Sequence, residues 1–359
     1  MQYTKFANFV IGTAAAILLL AQTGHSQNAN PAPQPPQPAR PAGPPPGMVG
    51  ADADSALGQK AASRWMLAPV WAKMPDVVGH GPYPASYAMA PDGLEDVVYQ
   101  PKDLSQVKGE LAVYIWGNGG CAADGAGARF HLAEIASHGY VAIAPGLILS
   151  GPKAPPQPPV DAQHPPAPRD PASGATSEKM TAALDWILAE NKRPGSPYFG
   201  KIDPNRVAIA GYSCGGLIAM RTAIDPRARA LIIESSGVLN KPPEGQFAGI
   251  AAMSQMKKED LSKFHTPVLY ILGGPQDVAE PNGLDDFKHI QQVPVFVADA
   301  PGVGHANTFL EPNGEGTKIE LDWLDWHFNG DRVASRTFVG PECTLCRDYR
   351  WVVYRKGIE

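Results

Sequence analysis

The sequence has no long hydrophobic run and no cluster of basic residues. Its longest apolar stretch, residues 9–21, has 13 residues, which is too short to cross a bilayer as a helix. The formal net charge is −5 and the lysines and arginines are scattered. This charge distribution argues against a surface for nucleic acid or for anionic membranes. We therefore expect the binding partner to be a small molecule or a neutral polymer.

The apolar stretch follows a weakly basic start and ends near the small residue Ser26. This layout is typical of a secretory signal peptide, so we expect a signal peptide over residues 1–26, export to the periplasm or the medium, and no stable membrane insertion after cleavage. An uncleaved anchor is the alternative. Residues 27–49 are rich in proline, which is typical of an extended linker. Residues 50–359 are long enough for one large domain.

Within that domain, short apolar segments alternate with helical ones. Segments that are apolar on both faces and are each followed by a helix indicate parallel strands covered on both sides. The pattern predicts an α/β fold with a doubly wound, mostly parallel sheet and helices on both faces. The predicted strands are 111–117, 140–146, 206–211, 229–235, 267–273 and 294–300. The predicted helices include 133–139, 177–191, with Ser177 as N-cap, 216–224 and 317–328.

A proline-rich stretch without periodicity, residues 147–176, interrupts this alternation. It follows the predicted strand 140–146, and ligands of open α/β sheets bind outside the carboxyl ends of the strands. A long irregular insertion at that place is usually functional or disordered. We expect it to lie near a ligand site, and its role stays open.

The sequence "GYSCG" at residues 211–215 fits the pattern G-x-S-x-G. A predicted strand precedes it and a predicted helix follows, so Ser213 falls on a sharp strand-to-helix turn. There, the N-terminus of the helix favours negative charge. This context indicates a serine nucleophile, and a structural turn serine is the alternative.

A serine hydroxyl needs a histidine to accept its proton, and the histidine needs a carboxylate to orient it. Asp277 and His305 each follow a predicted strand, and they come after Ser213 in the chain order expected for this type of turn. Asp285 and Asp286 are rivals to Asp277, although both lie in a predicted helix. The other histidines are expected at surface or structural positions.

On these motifs the chain resembles the α/β-hydrolases, nearest to the branch with dienelactone-hydrolase-like and secreted polyester- or cutinase-like esterases, from about residue 92 to residue 328. The resemblance implies Ser213 as nucleophile, His305 as general base and acid, and Asp277 as the orienting carboxylate. It implies an exported serine esterase that cleaves small-molecule or polymer carboxylic esters through an acyl-enzyme. The sequence shows no metal-ligand cluster and no dinucleotide fingerprint, so neither a metal nor a cofactor is expected.

Acyl transfer also needs backbone donors for the oxyanion. One is expected from Cys214, the residue after the nucleophile, and by resemblance to the H-G-x-G pattern of the family the other is assigned to Asn118, with Gly119 second. Trp116 stands where that pattern usually has histidine. Tyr212 and Trp116 are predicted to contact the substrate.

All four cysteines lie in the part of the chain expected to be exported, where disulfides can form. The amides of Cys214 and Asn118 must converge on one oxygen, and Cys121 is three residues beyond Asn118, so we expect a Cys121–Cys214 disulfide. A buried free thiol at Cys214 is the alternative. Cys343 and Cys346 are then expected to pair, in a loop.

Two other functions stay open at this point. A carbohydrate- or polymer-binding protein on the same fold would have lost the chemistry, and thiol redox chemistry would use "CTLC" at 343–346. The sequence indicates neither the ester nor the oligomeric state.

Overall fold

A computed structural model describes residues 55–91, 93–156, 174–241, 255–305, 309–312 and 314–359. The predicted signal peptide and linker, and residues 157–173 of the proline-rich insertion, lie outside the described residues. Within the described part, nine strands form one sheet. Their bounds are β1 Ala85–Met89, β2 Asp96–Pro101, β3 Leu111–Gly117, β4 Tyr140–Pro145, β5 Ile202–Tyr212, β6 Ala230–Glu234, β7 Val268–Leu272, β8 Val295–Asp299 and β9 Val352–Lys356.

The strand order is β1-β2-β4-β3-β5-β6-β7-β8-β9. Strands β4, β3, β5, β6, β7 and β8 are parallel to their neighbours in that series, whereas β1, β2 and β9 add antiparallel pairs at the two edges. The chain moves from β3 outward to β4, then crosses back to β5 and continues in the other direction. The winding therefore reverses between β3 and β5, and the carboxyl ends of these strands flank the crevice where open α/β sheets bind ligands.

Helices cover both faces of the sheet. They are α1 Ala56–Ala72, α2 Arg129–Ser137, α3 Ser177–Glu190, α4 Cys214–Thr222, α5 Glu280–His289, α6 Glu315–Asn329, α7 Arg332–Ser335 and α8 Thr344–Arg347. One buried cluster joins α2 and α6 to one face, and a second joins α3 and α4 to the other. Alternate strand residues enter opposite clusters, as Tyr114 and Trp116 do against Val113 and Ile115. The predicted doubly wound α/β architecture with a mostly parallel sheet is thus confirmed.

Several elements differ from the sequence predictions. The strands β1, β2 and β9 and the helix α1 were not predicted. The N-cap of α3 is Thr176, whose hydroxyl accepts the N–H of Lys179 at 3.2 Å, and not Ser177. Cys343 and Cys346 lie at a one-turn helix and not in a loop. Among the described residues, no helix combines the length and the apolar character needed to span a membrane.

Candidate active site

The turn between β5 and α4 holds Ser213 in a backbone conformation that side chains rarely adopt, with φ 54° and ψ −124°. Such a conformation costs about 1–3 kcal/mol and persists only when neighbouring contacts enforce it. The glycines on either side are required by space. A Cβ at Gly211 would lie 2.3 Å from the carbonyl oxygen of Gly215, and a Cβ at Gly215 would lie 1.9 Å from that of Gly117.

The end of β6 holds both backbone groups of Ser213. The carbonyl of Glu234 accepts the N–H of Ser213 at 2.9 Å, and the hydroxyl of Ser236 donates to the carbonyl of Ser213 at 2.7 Å. The same carbonyl also accepts the N–H of Gly216 at 2.9 Å, which begins the hydrogen bonding of α4. The strained turn is therefore fixed from a neighbouring strand as well as from its own helix.

Three side chains from three loops meet at this turn. The Oγ of Ser213 lies 2.9 Å from the Nε2 of His305, and the Nδ1 of His305 lies 2.7 Å from the Oδ1 of Asp277. Because an ionised Asp277 only accepts hydrogen bonds, His305 donates from Nδ1 and accepts the serine hydroxyl at Nε2. The predicted side chains are thus brought together in hydrogen-bonding order, with Ser213 partly exposed.

Asp277 is fully buried, and its carboxylate is stabilised by hydrogen bonds. The N–H of Ala279 donates to Oδ1 at 2.9 Å and the N–H of Gly273 donates to Oδ2 at 3.2 Å. Burial alone would raise the pKa of Asp277, but attraction to His305 and the hydrogen bonds it receives hold that pKa below its usual value. Asp277 is therefore kept ionised beside His305.

The rival carboxylates of α5 lie elsewhere. Asp286 is buried, where it accepts the N–H of Val238 at 2.7 Å and pairs with Lys258 at 2.6 Å. Asp285 pairs with the same lysine at 3.0 Å. Both carboxylates therefore tie α5 to neighbouring segments, and Asp277 is the one that reaches His305.

The loop before His305 is held by α1 and by Tyr212. A Cβ at Gly304 would lie 2.7 Å from the Cβ of Ala61 in α1, so helix and loop are in close contact. The hydroxyl of Tyr212 donates to the backbone carbonyl of His305, and the two rings lie 5.2 Å apart. Tyr212 is buried at 8% exposure. Its observed contact is thus with the histidine loop.

Trp116 is fully buried, with its ring 4.7 Å from that of His131 and 5.4 Å from that of Phe309. It lies beneath the loop that follows β3 and packs in the core there. Substrate contact by Trp116 or Tyr212 stays a prediction, because the contacts observed for both side chains are within the protein.

The loop after β3 packs against the nucleophile turn. The side-chain amide of Asn118 donates to the carbonyls of Pro145 at 2.6 Å and Ala122 at 3.0 Å, which fixes the loop to the end of β4. A Cβ at Gly119 would lie 2.4 Å from the ring of Tyr212. Cys214 begins α4, where N–H groups have no acceptor within the helix. These contacts put the two predicted donor segments side by side, and their role as oxyanion donors stays a prediction.

A disulfide joins the same two segments. The Cα atoms of Cys121 and Cys214 are 5.2 Å apart, within the range that a disulfide requires. Both cysteines are buried. Cys343 and Cys346 form the second pair, with Cα atoms 5.0 Å apart. Both predicted pairings are therefore present in the structure.

The described ends of the proline-rich insertion are anchored to this loop. The N–H of Leu147 donates to the carbonyl of Ala123 at 2.8 Å, and the N–H of Ala175 donates to the carbonyl of Cys121 at 3.0 Å. Leu147 and Leu149 are exposed at 43% and 38%. The insertion thus leaves and rejoins the fold beside the disulfide, as its position after a central strand predicts.

Sequence reasoning missed the residues that hold the nucleophile turn and the loop before His305 in place. No motif marks Ser236, Glu234 or α1. Their signal is positional, because a residue at the carboxyl end of β6 must lie beside the turn after β5 once the two strands pair.

No protein-family model matches this chain, and no curated protein matches it either.

Proposed function

We propose that this protein is an exported serine hydrolase of the α/β-hydrolase type that cleaves carboxylic esters. The observation that carries the proposal is the hydrogen-bonded series Ser213–His305–Asp277 on a strained strand-to-helix turn. A turn serine with only a structural role needs neither a histidine at 2.9 Å nor a buried carboxylate behind that histidine. The order of the three residues along the chain also agrees with this type of turn.

In the proposed reaction, the Oγ of Ser213 attacks the carbonyl carbon of the ester while the Nε2 of His305 accepts its proton. Asp277 holds His305 in the tautomer with Nδ1 protonated and stabilises the imidazolium that forms. His305 then gives the proton to the departing alcohol. A water molecule, activated by the same histidine, hydrolyses the acyl-enzyme and releases the acid.

The negative charge of the tetrahedral intermediates would be stabilised by the N–H of Cys214 and by a second N–H at Asn118 or Gly119. The N-terminus of α4 adds to this stabilisation because its dipole favours negative charge. Loss of one such donor costs about 3 kcal/mol of transition-state stabilisation. The disulfide and the packing of Gly117 on Gly215 support this role by holding the two segments together.

The test is covalent labelling with a fluorophosphonate, followed by kinetics on nitrophenyl esters of increasing acyl length. Ser213→Ala should abolish labelling, whereas Ser105→Ala, a change at an exposed serine, should leave it intact. His305→Ala and Asp277→Asn should lower kcat by about 10⁴-fold or more, and not additively with Ser213→Ala. Acetylated sugars, feruloyl esters and polyesters then identify the substrate class.

The rival carboxylate provides a matched control. Asp285→Asn removes the same charge from a residue that pairs with Lys258, and it should leave turnover near the wild-type value. A folded wild-type protein that is not labelled and hydrolyses none of these esters would contradict the proposal and favour a binding protein. Free thiols at Cys343 and Cys346 in the native protein would favour redox chemistry.

A further inference from the structure

A buried polar cluster lies behind the candidate active site, on the face of the sheet that α2 and α6 cover. Its members are Tyr114 of β3, His131 of α2, Glu234 of β6, and Thr317 and Glu320 of α6. Both glutamates are fully buried. Burial of two ionised carboxylates is very costly unless they are paired. The cluster must therefore carry fewer charges than its residue types allow.

The hydrogen-bonding roles within the cluster follow from its distances. The hydroxyl of Tyr114 donates to the Oε2 of Glu320 at 2.5 Å and so accepts from the Nε2 of His131, which lies 2.9 Å away. The Nδ1 of His131 then accepts the hydroxyl of Thr317 at 2.9 Å. Burial lowers the pKa of His131, so the imidazole is uncharged.

Carboxyl oxygens of the two glutamates lie within 4.8 Å of each other. Two carboxyl groups buried this close together cannot both be ionised without a compensating cation, so one of them keeps its proton. Burial and the repulsion of Glu320 raise the pKa of Glu234 well above its usual value, which makes Glu234 the group that keeps the proton. Glu320 already accepts the hydroxyl of Tyr114.

This pair lies directly behind the nucleophile turn. Glu234 is the last residue of β6, and its carbonyl accepts the N–H of Ser213 at 2.9 Å. Ser235 follows with a φ of 41°, and Ser236 holds the carbonyl of Ser213. From this end of β6, the side chain of Glu234 faces Glu320 of α6.

We propose that Glu234 and Glu320 share one proton, and that this bond makes Glu234 a positioning residue for Ser213. The pair fixes the end of β6, which in turn fixes both backbone groups of the nucleophile. The consequence for turnover rests on the proposed esterase function. The shared proton does not, because it is a property of the folded protein.

The ligand atoms of His131, Glu234 and Glu320 lie within 4.8 Å of one another, which is also a spacing that holds a metal ion. A metal would need both carboxylates ionised and facing it. In the structure, the hydroxyl of Tyr114 bridges His131 and Glu320 and so occupies the acceptor atoms that a metal would need. A metal-bound cluster and a pair that shares a proton differ in the number of bound protons, and this number can be measured.

The other titratable groups that face Glu234 are Tyr114, His131, Glu320 and Tyr212. Burial raises the pKa of both tyrosines and lowers that of His131. The directions of these shifts favour the uncharged forms of the tyrosines and of His131, and between about pH 5 and 7 Glu234 holds a proton that the unfolded chain has released.

The first test is urea unfolding of the full chain and of Glu234→Gln across this pH range. The amide of Gln donates to Glu320 as the protonated carboxyl does, so the variant should fold. Because only the wild type keeps an extra proton at Glu234 when folded, the ratio of its unfolding constant to that of the variant should rise about tenfold per pH unit. A constant ratio, or failure of Glu234→Gln to fold, would overturn the proposal.

The second test compares Glu234→Gln with the isosteric change Glu320→Gln. The first keeps the donor and should keep kcat within about threefold, as expected for a retained hydrogen bond. The second offers an amide N–H₂ to groups that themselves donate, so kcat should fall about tenfold or more with KM little changed. Equal losses in both variants, or one metal ion per chain in the purified wild type that both variants lose, would overturn the proposal. If the wild type proves to have no esterase activity, the unfolding ratio still decides the shared proton.

Discussion

The disulfide between Cys121 and Cys214 offers a quantitative test, because the chain contains its own control. The perturbation is the double change Cys121→Ala/Cys214→Ala, compared with Cys343→Ala/Cys346→Ala. The first disulfide closes a loop with a sequence separation of 93 residues, and the second closes one with a separation of 3. Cross-linking stabilises mainly by restricting the unfolded chain, and the effect grows with the length of the loop.

The chain-entropy relation gives about 4.6 kcal/mol for the separation of 93 and about 1.6 kcal/mol for the separation of 3. Removal of the Cys121–Cys214 bond should therefore cost about 3 kcal/mol more free energy of unfolding than removal of the other bond. The loss of packing at two buried side chains acts in the same direction. Urea unfolding of the three proteins under non-oxidising conditions measures the difference.

The activity of the same proteins tests the position of the bond. Loss of the Cys121–Cys214 bond frees the loop after β3 from the nucleophile turn, so kcat should fall while KM changes little. The Cys343–Cys346 bond lies near the C-terminus, and its removal should leave kcat unchanged. Equal destabilisation by the two double changes, or free thiols at Cys121 and Cys214 in peptides mapped from the native protein, would refute the reasoning.

Three further changes probe the support of the site. Tyr212→Phe removes the hydroxyl that donates to the carbonyl of His305. The kcat should then fall about fivefold at constant KM, as expected for one hydrogen bond of about 1 kcal/mol. Unchanged steady-state kinetics would show that this bond does not position the histidine. Gly215→Ala places a methyl group 1.9 Å from a carbonyl oxygen and should lower both melting temperature and activity, whereas Gly127→Ala, with its nearest atom at 3.5 Å, should leave both unchanged. Burial raises the pKa of Asp299 to about 7, so the folded state keeps a proton that the unfolded chain loses, and stability should fall as the pH rises from about 4 to 7. Asp299→Asn should make that slope shallower by the contribution of this one proton in urea unfolding at about pH 5 and 8, and an equal slope in both proteins would contradict the shift.

The sequence alone determined the central sheet and the three candidate active-site residues. Strands that are buried on both faces are uniformly apolar, so β3 to β8 stand out from the helices between them. Ser213, Asp277 and His305 each follow such a strand. Parallel strands have their carboxyl ends at the same edge of the sheet. The residues that follow these ends are therefore brought close together, independently of the conformation of the loops. The Cys121–Cys214 disulfide could be predicted from the sequence for the same reason.

Other features were decided only by the tertiary structure. The edge strands β1 and β9 are partly exposed, and β2 is mostly buried but contains Asp96 and Gln100, so these three sequences lack the uniform apolar character of a central strand. The helix α1 has no strand on either side to mark it, and its place against the histidine loop depends on contacts that are distant in sequence. The sequence left Asp285 and Asp286 as rivals to Asp277, and only the tertiary structure excludes them, because their carboxylates pair with Lys258 and Asp277 reaches His305.

The cluster of Glu234, Glu320, His131 and Tyr114 shows most clearly what the sequence alone cannot predict. Each residue occupies an ordinary position in a strand or helix, and no local pattern distinguishes a buried glutamate from an exposed one. Their hydrogen bonds form only when β3, β6, α2 and α6 pack on one face of the sheet. Local sequence specifies which element forms, whereas the charge and proton content of a buried cluster depend on which elements meet and how much water they exclude.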